Sequence, residues 1–448
     1  MRPGKREWTG EQDLFRARLD QIINMKHELV RLAQTIDWPW IDHELADCFS
    51  EAGRPGLATR FMVGLLLLKQ MHGLSDEQVC ERWVYDPYFQ YFTGAEFFAH
   101  AFPHERSGIS HWRKRIGGKL EALLAETLRV AHASGALKPA DLARVSVDTT
   151  VQPKAVTHPT DAKLMLRAIE KLGGQAKAEG LKLRQSYARL AKRAAQMAQR
   201  YGHAKQFKRA HRQLKFLRTR LGRLLRDIAR KIDGNPRLKA SFAWPLSKAR
   251  RIHGQNQRQR GAKLYSWHAP EVECIGKGKA HKPYEFGVKV AITTTNRRCK
   301  GGQFVLHAKA LPGNPYDGHT LAQVVAQTER LTGCPIERAY VDKGFRGHDT
   351  PRPWRVFISG QKRGVHGVIK RELRRRSAIE PVIGHLKEDG HLGRNFLKGR
   401  HGDHNNAVLS AIGHNLRLIL NWLRYLLALI LEAILHAFHE PSALKPAS

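Results

Sequence analysis

Three acidic residues stand where a carboxylate is costly or unexpected. Asp148 lies in the middle of RVSVDTTVQ (144–152), an alternating, β-branched stretch that reads as a strand. A carboxylate there is expensive unless it faces a polar site or a partner. Asp342 closes ERAYVD (337–342), a second strand pattern, and leads into the turn KGFRG. Glu380 sits in the strongly basic run KRELRRRSAIEPVIGHLKE (370–388). If that run is helical, Arg376, Glu380 and Lys387 fall at offsets of zero, four and eleven. At about 100° per residue they share one face. A carboxylate flanked by two cations suits a site that holds metal ions and a phosphate diester together. Hard divalent cations prefer carboxylate oxygens. Two of them about 3.5–4 Å apart activate a nucleophile and stabilise a leaving oxygen. Water and then a DNA 3′-hydroxyl would be the nucleophiles, so no covalent enzyme intermediate is needed.

Each acid also has a purely structural reading. Asp148 can cap or turn the chain. Asp342 can begin the turn VDKGFRG, as Asp commonly does. Ser377-Ala-Ile-Glu380 fits a capping box with Glu380 at the third helical position, and Pro381 supports a helix start nearby. Arg376 would then fall just outside the helix. His385, His391, His401 and His404 near Glu380 raise zinc, but the chain has no HExxH and no Cys/His zinc spacing.

The elements that must position these residues alternate in character along 448 residues, enough for several domains. Residues 11–36 are expected to be helical, with Leu14, Leu19, Ile22, Ile23, Leu29, Leu32 and Ile36 on one stripe. Residues 57–73 read as a buried helix ending at Gly73, and Ser75 opens the next, with Asp76 and Glu77 in its first turn. That pair fits a helix-turn-helix or ordinary helical packing equally. Within residues 104–117 another helix begins at Ser107 or Ser110, in which Trp112, Arg113, Lys114 and Arg115 give an aromatic and basic face, for phosphate ahead of a merely solvated face. After Asp148 the pattern turns helical from Pro153 to about Arg260. One stripe is Tyr187, Leu190, Ala194, Met197 and Tyr201; a second is Leu214, Leu217, Leu221, Leu224, Ile228 and Ile232, stopped by Gly234-Asn235-Pro236. Its outer faces carry many Lys and Arg and few acids, the pattern of a coil lying along DNA or of a solvated face. Strand character returns in KLYSWHA, in 286–295 and in 303–311, the last two joined by a polar turn as a hairpin. A helix over 320–331, the Asp342 strand, a strand at 355–360 and an apolar helix or helix pair over 405–438 complete the chain. The fold class is α/β with a central sheet, in which sites gather at strand ends.

Composition narrows the partner. Lys plus Arg number 77 against 40 Asp plus Glu, a formal net charge of +37. Such an excess keeps a protein near polyanions, nucleic acid before anionic membrane. Cys48, Cys80, Cys274, Cys299 and Cys334 form no CxxC pair and no disulfide framework, which points to a reducing cytoplasm. The N-terminus has no apolar core of a signal peptide. Leu416 to Phe438 carries Arg417, Arg424 and Glu432, so a buried or partner-facing helix is expected there rather than a membrane span.

Four segments together resemble the DDE transposases of bacterial insertion sequences, in the group that includes insertion sequence five. They are VDTTVQPKA around Asp148, ALPGNPYDGHTL (310–321), AYVDKGFRG around Asp342, and RRRSAIEPVIGHLKEDGHLGRN around Glu380. The likeness runs from about residue 57 to 425. It implies an RNase H-like catalytic domain over 141–402 with a long helical insertion at about 155–262. An all-helical DNA-binding domain (1–140) would precede it and a helical segment (403–448) would follow. It implies that Asp148, Asp342 and Glu380 are catalytic and hold Mg²⁺, with Mn²⁺ as a substitute. Arg376 and Lys387 match the family's basic positions beside the Glu, while Leu373 stands where the family has Tyr. Lys343, Arg346, Arg113, Lys114 and Arg115 are expected on DNA. The implied reaction is cleavage at terminal inverted repeats of double-stranded DNA and strand transfer into target DNA. A homodimer or higher oligomer on DNA, near the bacterial nucleoid, is expected, with no membrane partner. The alternatives are a decayed or repurposed transposase that binds DNA without cutting it, and a basic RNA-binding protein.

Overall fold

The structure is a computed structural model that describes residues 17–49, 56–257, 259, 261, 263–276 and 283–439. In chain order the elements begin with α1 (Leu19–Ile22), α2 (Glu28–Thr35), α3 (Trp38–Leu45), α4 (Thr59–His72), α5 (Asp76–Tyr85), α6 (Pro87–Phe92), α7 (Gly108–Arg115) and α8 (Leu120–Ala133). Then come β1 (Arg144–Pro153), α9 (Asp161–Ala178), α10 (Ala188–His203), α11 (Phe207–Lys231) and α12 (Pro236–Gly254). They are followed by β2 (Glu273–Gly276), β3 (Tyr284–Thr295), β4 (Val305–Leu311), α13 (Leu321–Thr332), β5 (Arg338–Val341) and β6 (Val356–Ile358). The chain closes with α14 (Gly367–Arg375), α15 (Ile379–Glu388) and α16 (Gly399–His439). It divides into two compact units, Met1–Pro153 with Lys289–Ser448, and Lys154–Val288.

In the first unit the local signals act as expected where they are short-ranged. Gly73 takes φ 62° at the end of α4, a left-handed conformation that glycine adopts without a Cβ penalty. Ser75 and Gln78 cap α5 reciprocally: the Gln78 amide donates to Ser75 Oγ at 3.1 Å, and the Ser75 amide donates to Gln78 Oε1 at 2.9 Å. The helix expected over 11–36 is instead broken between α1 and α2. The Asn24 side chain accepts the Lys26 amide at 2.9 Å, and His27 Nδ1 accepts the Leu29 amide at 3.2 Å. A local side-chain bond there outcompetes helix continuation. Leu14 lies outside the described residues.

The sheet of this unit is mixed. β1 pairs with β5 in parallel, β5 with β6 in parallel, and β3 with β4 antiparallel, in the order β3-β1-β5-β6 with β4 beside β3. The expected hairpin and its polar turn are present. α16 is one helix, not a pair, about 60 Å long at 1.5 Å per residue. It packs on β4, α8 and α4. Gly413 lets it approach α4: a Cβ there would stand 2.7 Å from the Gln70 carbonyl. Fully buried Asn415 donates to Thr127 Oγ1 at 3.1 Å and the Val305 carbonyl at 2.8 Å, and accepts the Val305 amide at 2.9 Å. No helix among the described residues is long and apolar enough to cross a membrane.

The second unit is a four-helix assembly, α9 to α12, around Leu172, Leu217, Leu221, Leu224, Ile228 and Phe242. The stripe expected on α11 is the one that faces the core. On α10 the buried stripe is Ala191, Ala194, Ala195 and Ala198, and Leu190 is 42% exposed. Small side chains bring two helices closer together than a leucine would allow, so the alanines set the face. KLYSWHA is not a strand. The Leu264 amide and carbonyl pair with the Gln255 side chain at 3.1 Å each, which replaces a neighbouring strand, and Trp267 joins the helical core. β2 pairs antiparallel with Tyr284–Gly287.

Because Asn415 satisfies both backbone groups of Val305 away from water, Asn415→Ala leaves two buried polar groups unpaired. The expected loss is about 2–4 kcal/mol. A lowered urea midpoint with unchanged slope checks it, and a midpoint equal to that of the parent protein refutes it.

Candidate functional site

β1 and β5 run side by side with Arg144 opposite Arg338, Val145 opposite Ala339 and Ser146 opposite Tyr340. Carried on in the same register, Asp148 comes opposite Asp342, on strands about 4.8 Å apart. Asp342 follows the last residue of β5, and its Oδ1 accepts the Gly344 amide at 2.9 Å. It is therefore both the turn residue and the partner of Asp148. The Asp148 side chain is 16% exposed. Burial first, then the charge of Asp342, pushes its carboxyl up to about 6; the Thr149 amide and Arg376 pull the other way, and Glu380 adds repulsion.

Glu380 lies in the first turn of α15, after a short turn at Arg376–Ala378 that continues from α14. The capping box does not form, because Ser377 Oγ donates back to the Arg374 carbonyl at 3.2 Å. Pro381 sits in the first turn, where its missing N–H has no intrahelical partner to lose. Arg376 and Glu380 form an i,i+4 pair at 3.3 Å, and the other guanidinium nitrogen reaches Asp148 Oδ2 at 3.4 Å. Arg376 is 12% exposed and Glu380 is 65% exposed. A nearly buried guanidinium thus stands between the first and third acids. Lys387 is half-buried in the last turn of α15. Leu373 packs against the small core of Tyr340, Phe357 and Val365, an apolar setting. Lys343 and Arg346 are exposed just beyond Asp342.

The face expected on α7 divides. Lys114 and Arg115 are exposed, and Arg115 lies over the Phe49 ring at 5.4 Å. Trp112 and Arg113 are buried. Arg113 grips Asp76 with two bonds at 2.8 and 2.9 Å, beside Lys69 at 2.6 Å from the same carboxylate. Burial would raise the Asp76 carboxyl, yet Arg113 and Lys69 hold it well below the usual range. Arg113 is thus a buried cation tying α5 to α7.

Three residues join the site that sequence reasoning did not single out. Asp317 Oδ1 accepts from Thr149 Oγ1 and from Lys289 Nζ, each at 3.0 Å, and Lys289 also reaches the Pro315 carbonyl at 2.7 Å. A Cβ on Gly344 would meet both Asp342 Oδ1 at 3.0 Å and Asp317 Oδ2 at 3.1 Å. Asp317 therefore lies against the Asp342 turn while its partner Thr149 adjoins Asp148. The available signal was an acid two residues after the chain-breaking Pro-Gly-Asn-Pro (312–315).

Among the described residues no three His, Cys, Asp or Glu side chains are close enough to hold a metal ion together. Asp148 and Asp342 are hard oxygen donors with surplus negative charge, the right type for a hard cation. The third acid of the set, Glu380, is drawn to Arg376 instead. The four histidines near Glu380 form no cluster; His385 pairs with Asp389 at 3.0 Å.

Residues 17–115 match the model of a transposase domain (DUF772). Such a domain implies a nuclease or recombinase whose partner is DNA. The "uncharacterized protein ORF8 in nfe locus" of Rhizobium meliloti is 53% identical over 208 residues, 46% of this chain and the whole of that protein. The chain belongs to the same family as that rhizobial protein. No solved structure matches it. The domain match covers α7 and ends before Asp148.

A carboxyl raised by folding binds its proton more tightly in the folded state, so stability falls as pH rises from the unfolded value of 3.8 to about 6. Asp148→Asn removes that penalty and stabilises the protein at pH 7.5, by up to about 3 kcal/mol. The gain shrinks to nothing below about pH 2.5, where the parent aspartate is neutral in both states. Melting temperatures of both proteins across pH test this, and a gain independent of pH contradicts it.

Proposed function

We propose that the chain is a transposase that cuts double-stranded DNA at the terminal inverted repeats of its element and joins the ends to target DNA. Asp148, Asp342 and Glu380 are its catalytic acids. The observation that carries this reading is the placing of Asp148 opposite Asp342 in adjacent strands, with Arg376 linking Asp148 to Glu380. A mixed sheet with the acid-bearing first strand in its interior, a parallel pair on one side and an antiparallel pair on the other, supports an RNase H-like reading.

Mg²⁺, or Mn²⁺ in its place, would be held by Asp148, Asp342 and Glu380. When bound, such ions supply an activated hydroxyl and neutralise the leaving oxygen. The chain's own residues do the rest. Arg376 offsets the acids' charge in the free protein and, once Glu380 turns from it, has a guanidinium to offer a phosphate. Lys343 and Arg346, exposed beyond Asp342, and Lys387 on α15 lie along a path for the scissile strand. Lys114 and Arg115 contact the end duplex from the N-terminal helices. Thr149, Asp317 and Lys289 hold the Asp148 strand and the Asp342 turn in place. Two ends require two active sites, so a homodimer or higher oligomer on DNA is the working form.

A second reading, a DNA-binding protein that no longer cuts, is favoured by one observation: the three acids do not form a shared metal cluster. The two readings part in one experiment. Labelled duplex carrying the ends that flank the gene is incubated with the protein, with and without Mg²⁺, beside Asp342→Ala. The expected outcome is nicking at the end junction that needs Mg²⁺ and falls at least about 1,000-fold in the variant, a barrier change of about 4 kcal/mol. Salt-sensitive binding with no cleavage under either condition would establish the second reading.

A further inference from the structure

The charge of this chain is concentrated in one place. Lys154–Val288 holds 33 Lys and Arg against 8 Asp and Glu, which is +25 of the chain's +37. Residues 180–226, covering α10 and most of α11, carry fifteen Lys and Arg and no Asp or Glu. Charge of one sign at that density is self-repelling, and among the described residues Arg184 is the only one of the fifteen with an acid within 4 Å. The acids that α11 and its neighbours do possess are already engaged. Asp227 lies within 4 Å of Arg184, Arg230 and Lys231, and Asp233 pairs with Lys239 at 2.8 Å.

The arrangement on α11 is directional. Lys208, Arg212, Lys215, Arg223 and Arg226 are all exposed. At about 100° per residue they fall within an arc of about 80° on one side of the helix. The opposite side is the buried row Leu217, Leu221, Leu224 and Ile228. The core row fixes the rotation of α11, so the cations must point to solvent as a single file. From Lys208 to Arg226 that file is about 27 Å long at 1.5 Å per residue. This matches about eight base pairs of duplex at 3.4 Å per step.

We infer that this face of α11 is a rail that binds the phosphates of duplex DNA without reading its sequence, separately from the acids of the first unit. That the polyanion is duplex DNA rests on the transposase reading; that the face binds a polyanion rests on the charge and its register. Five long cations on one helix face, none of them within 4 Å of an acid among the described residues, suit a backbone contact, which positions DNA and carries no sequence information.

The test uses the full chain and measures binding of a duplex of arbitrary sequence across a salt series, without divalent cations. The rail variant combines Lys208→Gln, Arg212→Gln, Lys215→Gln, Arg223→Gln and Arg226→Gln. A matched variant removes five exposed cations elsewhere in the same unit: Lys163→Gln, Lys171→Gln, Lys177→Gln, Arg250→Gln and Arg251→Gln. The rail variant is expected to reduce the slope of log affinity on log salt by about 3–4 and to weaken binding at low salt about 100-fold, while the matched variant changes the slope by less than about 1. The charge-preserving set Arg212→Lys, Arg223→Lys and Arg226→Lys keeps the parent slope, and a shared far-ultraviolet spectrum and melting temperature establish that each variant is folded. Equal losses in both neutralised variants would mean that total charge, not this face, binds DNA, and would overturn the inference. Tighter binding of single-stranded RNA than of duplex DNA would overturn the partner. Mg²⁺-dependent cleavage is read on the same parent protein, so a rail that binds while the parent cuts no end duplex leaves the inference standing while the catalytic reading fails.

Discussion

Like-charge repulsion between Asp148 and Asp342 is built into the register of β1 with β5. At a separation of about 5 Å and an effective dielectric near 20, it amounts to about 3 kcal/mol. Arg376, 3.4 Å from Asp148, returns an attraction of similar size. The balance still leaves the Asp148 carboxyl at about 6, so burial together with repulsion outweighs the guanidinium. The sheet therefore keeps a charge conflict that its own side chains only partly resolve. A folded protein keeps such a conflict where something else is meant to resolve it, and strongly perturbed carboxyls gather at functional sites for that reason.

The surrounding structure serves to hold that conflict in place. Asp317 takes a bond from the residue next to Asp148 and lies against the glycine that shapes the Asp342 turn, so the two acid segments are braced by a third. Tyr340 and Arg338 of β5 both bond Glu372 of α14, which fixes the helix that leads into Arg376. On the other side of the sheet, Asn415 and Gly413 lock α16 against β4 and α4. A carboxylate pair can be kept at short range only if none of these elements slides, and buried polar networks that are fully satisfied give that rigidity.

Much of the fold was legible because its signals are local. The caps at Gly73 and Ser75, the alternation of β1, the β3–β4 hairpin and the leucine file of α11 each depend on residues within a turn or two. The failures share one cause, competition from a distant partner or an unforeseen local bond. Arg113 reads as a free cation until Asp76, 37 positions earlier, is found beside it. Leu190 reads as core until the alanines of α10 set a closer face. KLYSWHA reads as a strand until the Gln255 side chain takes its backbone bonds. The helix over 11–36 breaks at an Asn whose side chain offers the backbone an alternative.

By itself the sequence determined the unbalanced charge, the acids on strand-like segments, and the basic run around Glu380, because these follow from residue type and short spacing. It also determined the cationic file on α11, since one apolar row suffices to orient a helix. Tertiary structure alone decided that Asp148 meets Asp342, that Arg376 lies between two acids, that Asp317 lies against the Asp342 turn, and that Arg113 is bound to Asp76. Those facts depend on strand register and on the packing of helices far apart in the chain, and no local pattern encodes a register between segments separated by nearly 200 residues.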